Sequence, residues 1–103
     1  MKILIADDDH NLRTVLTKEL SEGGNEVEGV ESGTRAMELL ERDEYDVLLL
    51  DLNMPGLGGM DVLKRIKTLE LSTEVIILTA YSTLSTAVEA MKLGAYDYLT
   101  KSF

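Results

Sequence analysis

Short apolar runs and longer amphipathic stretches alternate along this chain. Ile3 to Ala6, Val47 to Leu50 and Val75 to Leu78 are continuous apolar runs. Runs of this length between turn signals predict strands buried on both faces, as in a parallel sheet. Glu26 to Val30 alternates with charge and predicts an edge strand, and Tyr96 to Thr100 is a short fifth strand. Between these runs the period becomes helical. Leu12, Val15, Leu16 and Leu20 fall on one face of a first helix, with Asp9 as its N-cap and Gly23-Gly24 as its stop. Ser32 caps a second helix that turns Ala36, Leu39 and Leu40 inward. A third carries Met60, Leu63 and Ile66 after the breaker cluster Pro55-Gly56-Leu57-Gly58-Gly59. Leu84, Ala87, Val88 and Met91 mark the inward face of a fourth, closed by Gly94 at the position just past its end.

The order β-α-β-α-β-α-β-α-β predicts an α/β fold: a doubly wound, five-stranded parallel sheet with helices on both faces and right-handed crossovers. The pattern stops at Phe103, just after the fifth strand. A doubly wound domain normally closes with one more helix. The expectation is therefore a single domain over residues 1–103, truncated at its C-terminal side and lacking its fifth helix. That helix would cover one sheet face beside the first helix, so its absence is expected to expose part of the apolar face over the first strand, and either to reduce stability or to favour self-association through that face, as in a homodimer.

Composition narrows the function. At 103 residues the chain holds one core and not two. It has no cysteine, which excludes disulfides and thiolate metal sites. No apolar run is long enough to span a bilayer, and the apolar stretch after Lys2 runs directly into Asp7, Asp8 and Asp9 rather than a signal-peptide pattern. A cytoplasmic location is expected, without membrane attachment. The formal net charge of -9 argues against direct nucleic-acid binding by this segment, since phosphate contacts need a surplus of Lys and Arg.

Candidate chemistry collects at the ends of the strands. Asp7 and Asp8 follow the first, Asp51 the third, Thr79 the fourth and Lys101 the fifth. Ligands of open parallel sheets bind beyond the carboxyl ends of the strands. Singly these residues are ordinary: Asp51 begins a turn before Met54-Pro55, Thr79 ends a strand, Lys101 is a surface lysine, and Asp9 only caps a helix. Together they gather three carboxylates, a hydroxyl and an ammonium. Two like charges about 4 Å apart cost about 4 kcal/mol at an effective dielectric constant of 20. A hard divalent cation relieves that repulsion, and Mg²⁺ prefers oxygen ligands. A nucleophilic carboxylate, a metal, a cation and a hydrogen-bond donor are the parts that phosphoryl transfer needs, with Lys101 pairing with Asp51 at rest. His10 receives no role, and Met54, Met60 and Met91 are expected to fill the core.

Four segments, Lys2-Ile-Leu-Ile-Ala-Asp-Asp-Asp9, Asp46-Val-Leu-Leu-Leu-Asp-Leu-Asn-Met-Pro-Gly56, Val75-Ile-Ile-Leu-Thr-Ala80 and Gly94-Ala-Tyr-Asp-Tyr-Leu-Thr-Lys101, make the whole chain resemble the receiver domain of two-component response regulators. The resemblance implies a flavodoxin-like strand order 2-1-3-4-5. It implies that Asp51 accepts a phosphoryl group from the phosphohistidine of a sensor histidine kinase or a phosphotransfer protein. It further implies Mg²⁺ held directly by Asp8, Asp51 and the backbone carbonyl of Asn53, and through water by Asp7. Thr79 matches the switch hydroxyl, Lys101 the family's lysine, and Tyr98 the aromatic switch; read alone, Tyr98 is a partly exposed edge-strand aromatic. Such a domain catalyses only its own phosphorylation and dephosphorylation, so it is not an enzyme in the ordinary sense, and it switches an output domain elsewhere in the full-length protein. The segment from Thr79 to Leu99 most resembles receivers attached to AAA+ activators of the alternative sigma factor, which implies transcription regulation. Asn53 and Tyr81 stand where they would govern water access to the acyl phosphate. The family usually has proline after the lysine, with a cis bond; here Ser102 follows Lys101. A cis bond before a non-proline residue costs about 2.5–4 kcal/mol, which favours trans.

Two other functions compete. A haloacid-dehalogenase-like phosphatase also uses a strand-end Asp and Mg²⁺, but needs a second Asp two residues later as general acid, and position 53 is Asn. A degenerate receiver would serve as a phosphorylation-independent binding or dimerisation module.

Overall fold

In the computed structural model, which describes residues 1–80 and 82–101, the chain forms β1 (Lys2–Ala6), α1 (His10–Glu22), β2 (Glu26–Val30), α2 (Gly33–Arg42), β3 (Val47–Leu50), α3 (Gly59–Thr68), β4 (Glu74–Thr79), α4 (Leu84–Lys92) and β5 (Asp97–Thr100). The sheet order is β2-β1-β3-β4-β5, every neighbouring pair parallel. The Tyr81 and Lys101-Ser102 expectations lie outside the described residues.

Strand alternation divides the interior. Leu4 and Ala6 of β1, Leu48 and Leu50 of β3, and Val75 and Ile77 of β4 join Ala36, Met37 and Leu40 of α2, Val62, Leu63 and Ile66 of α3, and Ala90 of α4 in one buried cluster. Ile3 and Ile5 are also buried and, one residue out of phase, point to the opposite face, where α1 lies. Tyr45, buried just before β3, donates its hydroxyl to Glu28 Oε2 at 2.6 Å and so pins the polar edge strand β2. Burial, with help from this bond, raises the Tyr45 pKa.

The helix ends follow local chemistry. Asp9 and Ser32 accept hydrogen bonds from Leu12 N and Arg35 N as N-caps. Gly24 and Gly94, with φ of 89° and 95°, take the left-handed conformation past α1 and α4, which a side chain would strain. At α4, Thr83 accepts from Thr86 N while the Thr86 hydroxyl accepts from Thr83 N, a reciprocal cap.

Two expectations fail. Three of the four residues predicted to face inward from α4 point out: Leu84 is 82%, Met91 48% and Val88 43% exposed, so Met91 does not fill the core. The helix instead turns its small side chains inward, with Ala90 buried and Ala87 half-buried. The first strand is not exposed either. β1 lies between β2 and β3, and Ile3 and Ile5 stay covered. Exposed apolar surface on that side belongs to Val15 of α1 and Leu99 of β5, with an open hollow of about 510 Å³ bordered by Leu12, Val15, Leu16 and the Lys101 side chain.

Candidate functional site

Each parallel strand ends on the same side of the sheet, and the polar residues that follow meet there. Asp7 and Asp8 leave β1, Asp51 leaves β3, Thr79 ends β4, and Lys101 follows β5. Asp7, Asp51 and Thr79 are buried, whereas Asp8 is exposed. One carboxylate oxygen from each of Asp7, Asp8 and Asp51 lies within 4.8 Å of the others. The donors are all hard oxygens and one of the three is open to solvent, which suits a hard divalent cation.

Lys101 is held by backbone and side chain. Its N–H donates to Thr79 O at 2.8 Å, and its ammonium lies 2.7 Å from Asp7 Oδ2 and 3.5 Å from Asp51 Oδ2. The tighter partner is thus Asp7, not the Asp51 expected from the strand ends. Burial alone would lower the Lys101 pKa, but the hydrogen bond to Asp7 and the charges of both carboxylates raise it overall.

Asp7 is tied down at every polar atom. Its N–H donates to Val30 O at 3.0 Å, and its carbonyl accepts from Arg13 Nη1 at 2.7 Å. Oδ1 accepts from Asp9 N at 2.9 Å, and Oδ2 takes Lys101. Asp9 therefore does more than cap α1: its backbone fixes its neighbour. Neither this bond nor the reach of Arg13 leaves a sequence signal, since both depend on how the chain turns out of β1.

Asp51 sits at the start of the β3–α3 loop. Its N–H donates to Ala6 O at 2.9 Å, and its Oδ1 accepts from Asn53 N at 3.3 Å. Burial raises its pKa, joined by the Asp7 charge, against the opposing Asn53 hydrogen bond and Lys101. α3 begins pressed against this residue. A Cβ at Gly59 would lie 2.4 Å from Asp51 O, so glycine there permits the contact. Asn53 itself is exposed.

Tyr98, half-buried in β5 opposite Ile77, packs against the main core cluster. Its hydroxyl lies 3.0 Å from Thr86 Oγ1, the side chain that also caps α4. Thr86 carried no signal in the sequence, because its partner is 12 residues away on another element. His10 stays outside the pocket, 3.4 Å from Arg13 Nη2.

The sequence model of the response regulator receiver domain matches residues 3–103. The chain belongs to this family. The receiver domain is 40% identical over 102 residues to the response regulator protein FleR of Pseudomonas aeruginosa, covering 99% of this chain and 22% of FleR. It is 43% identical over 99 residues to the DNA-binding transcriptional regulator NtrC of Klebsiella pneumoniae, covering 96% of this chain and 21% of NtrC. It is 34% identical over 102 residues to sporulation initiation phosphotransferase F of Bacillus subtilis, and there covers 99% of this chain and 82% of the relative. The signal receiver domain of a LuxO repressor protein from Vibrio parahaemolyticus superposes with a TM-score of 0.94 at 30% identity, over 99% of this chain and 78% of that one. The TrrA response regulator of Thermotoga maritima, solved with Mg²⁺ and a beryllium fluoride, gives 0.87 at 35% identity over 99% and 87%. This receiver domain thus spans about a fifth of FleR and NtrC but most of the sporulation phosphotransferase.

Proposed function

We propose that this receiver domain works in a phosphorelay by accepting a phosphoryl group on Asp51. The observation that carries this reading is the burial of Asp51 beside Asp7, with Asp8 open to solvent and one ammonium shared between the two buried carboxylates. The Asp51 carboxylate attacks phosphorus of a phosphohistidine on a sensor kinase or phosphotransfer protein. The P–N bond breaks, an acyl phosphate forms, and the imidazole leaves with the bonding pair. Lys101 pairs with a phosphoryl oxygen of the product, and the Thr79 hydroxyl donates to another. Hydrolysis later returns the carboxylate and inorganic phosphate, so the only reactions catalysed are the domain's own.

Mg²⁺ is the proposed cofactor, and when bound it neutralises charge on the oxygens of the group in transfer. Asp8, Asp51 and the Asn53 carbonyl are its proposed direct ligands. Asp7, whose two carboxylate oxygens are already engaged by Asp9 N and Lys101, is assigned contact through water. Tyr98 is the proposed readout of Thr79. The output is proposed to be transcription regulation through a further domain in a cytoplasmic protein, a reading supported by relatives named as transcriptional regulators. Homodimer formation is assigned to exposed apolar side chains such as Leu84, Val88 and Leu99. Sedimentation at increasing concentration tests it, and a monomer throughout ends that part of the proposal.

Incubation with acetyl phosphate and Mg²⁺ followed by intact mass measurement tests the reaction. The mass of one phosphoryl group should appear in the native protein and not in Asp51→Asn. No gain at any Mg²⁺ concentration would leave a binding module instead.

A further inference from the structure

Asp8 presents a problem that the rest of the pocket does not. Asp7 and Asp51 are buried, and neighbouring donors aim their carboxylates. Asp8 is exposed, and no described residue forms a hydrogen bond or ion pair with its side chain. What directs an exposed carboxylate toward the pocket is then the backbone from which it leaves, above all the Asp7–Asp8 peptide plane. One flank of that plane is held by a charged group. Arg13 reaches back from the first turn of α1 and donates Nη1 to Asp7 O at 2.7 Å. Charge-assisted bonds of this length are the strong ones. The stem of Arg13 passes over β2 at the one strand position with no side chain: a Cβ at Gly29 would stand 3.4 Å from Arg13 Cδ and 3.8 Å from Arg13 Cβ.

We propose that Arg13 is a positioning residue for the cation site, fixing the Asp7–Asp8 peptide so that Asp8 faces the oxygens of Asp7 and Asp51. The proposal rests on the Mg²⁺ reading given above. Its value lies in a conflict of sign. A guanidinium near three carboxylates repels an incoming divalent cation, so deleting its charge should by Coulomb's law alone tighten Mg²⁺ binding. If Arg13 serves to aim Asp8, deleting it should weaken Mg²⁺ binding despite that gain. The two roles cannot be confused in one measurement.

The test is Mg²⁺ titration followed by calorimetry or by the backbone amide resonances of Asp8 and Asn53. The variants are Arg13→Met, which keeps the apolar stem, and Arg13→Lys, which keeps charge and a donor. Lys18→Met, on the same helix, controls for the loss of one positive charge. The expected result is a Mg²⁺ dissociation constant raised fivefold or more in Arg13→Met, partly recovered in Arg13→Lys, and unchanged or lowered in Lys18→Met. Circular dichroism without metal establishes that each variant is folded; should Arg13→Met not fold, Arg13→Lys is judged on its own, with a twofold or larger weakening expected from its poorer reach. Binding equal to or tighter than that of the native protein overturns the proposal while leaving the metal site intact. No binding by the native protein overturns both.

Discussion

Two buried carboxylates share one ammonium, and the distances decide how the charge balances. Lys101 lies 2.7 Å from Asp7 and 3.5 Å from Asp51, so Asp51 is the less compensated of the two. Burial, joined by the charge of Asp7 and only partly offset by Asn53 N and Lys101, raises its pKa: the folded protein holds a proton there more tightly than the unfolded chain does. The linkage sign follows. Stability contributed at Asp51 falls as pH rises through the window that opens near the ordinary value of 3.8, and at neutral pH the ionised group is a net cost. Asp51→Asn keeps the shape and leaves Asp7 with Lys101. It should melt higher than the native protein at pH 7 without Mg²⁺. It should also lose the decline that sets in as pH rises above about 3.8; a lower melting point or an unchanged pH profile would count against the charge balance described. Lys101→Met has the opposite effect. It leaves two buried carboxylates without their cation, a change that costs about 3–5 kcal/mol in buried pairs. Urea unfolding without metal measures that loss, and added Mg²⁺ should restore more stability to Lys101→Met than to the native protein.

At the scale of elements, α4 is attached by little. Its large apolar side chains face solvent, Ala90 is its buried residue, and its start is held by the paired hydroxyls of Thr83 and Thr86. The Thr86 hydroxyl is also the partner of the Tyr98 hydroxyl. One side chain therefore links the first turn of α4 to β5. Thr86→Ala keeps the Thr83 cap but removes the acceptor for Thr83 N and the partner of the Tyr98 hydroxyl, and should cost about 0.5–1.5 kcal/mol. Amide exchange in residues 84–92 should accelerate by the matching factor, with Thr86→Ser close to the native protein. Equal protection in Thr86→Ala would mean that the Thr86 hydroxyl contributes nothing. These contacts also mark where the sequence could be read and where it could not. β1, β3 and β4 were legible because a strand covered on both faces must be apolar throughout, and Asp9, Ser32, Gly24 and Gly94 because caps and left-handed turns have residue-specific chemistry. The orientation of α4 was not legible. Leu84, Val88 and Met91 form a regular stripe, and periodicity reports a stripe without saying what lies opposite it. The pocket was legible in Asp7, Asp8, Asp51, Thr79 and Lys101 because topology alone brings strand ends together. The attachments of Arg13 and Thr86 depend on side-chain reach across elements, which spacing along the chain does not encode.

For the whole molecule, the question is whether Mg²⁺ acts at one site or on the charge of the entire surface. The net charge of -9 means that any cation should stabilise the fold to some extent by screening repulsion. Screening is shared by all salts, and at 0.15 M ionic strength the Debye length is already about 8 Å, so little of it is left for added millimolar Mg²⁺ to provide. Binding at a site behaves differently. A cation bound only by the folded state contributes about 2.7 kcal/mol at a concentration one hundred times its dissociation constant, whatever the background salt. In 0.15 M NaCl the native protein should therefore gain about 10 °C or more in melting temperature on saturation with Mg²⁺. Asp8→Asn should gain far less, because it removes one of the three clustered carboxylates, a proposed direct ligand, while changing the net charge by only one. Its metal-free melting point should lie near or above that of the native protein, since one of three clustered negative charges is gone. If Asp8→Asn and the native protein respond alike to Mg²⁺, the stabilisation belongs to the acidic surface and not to the pocket, and the three carboxylates lose their claim to a metal.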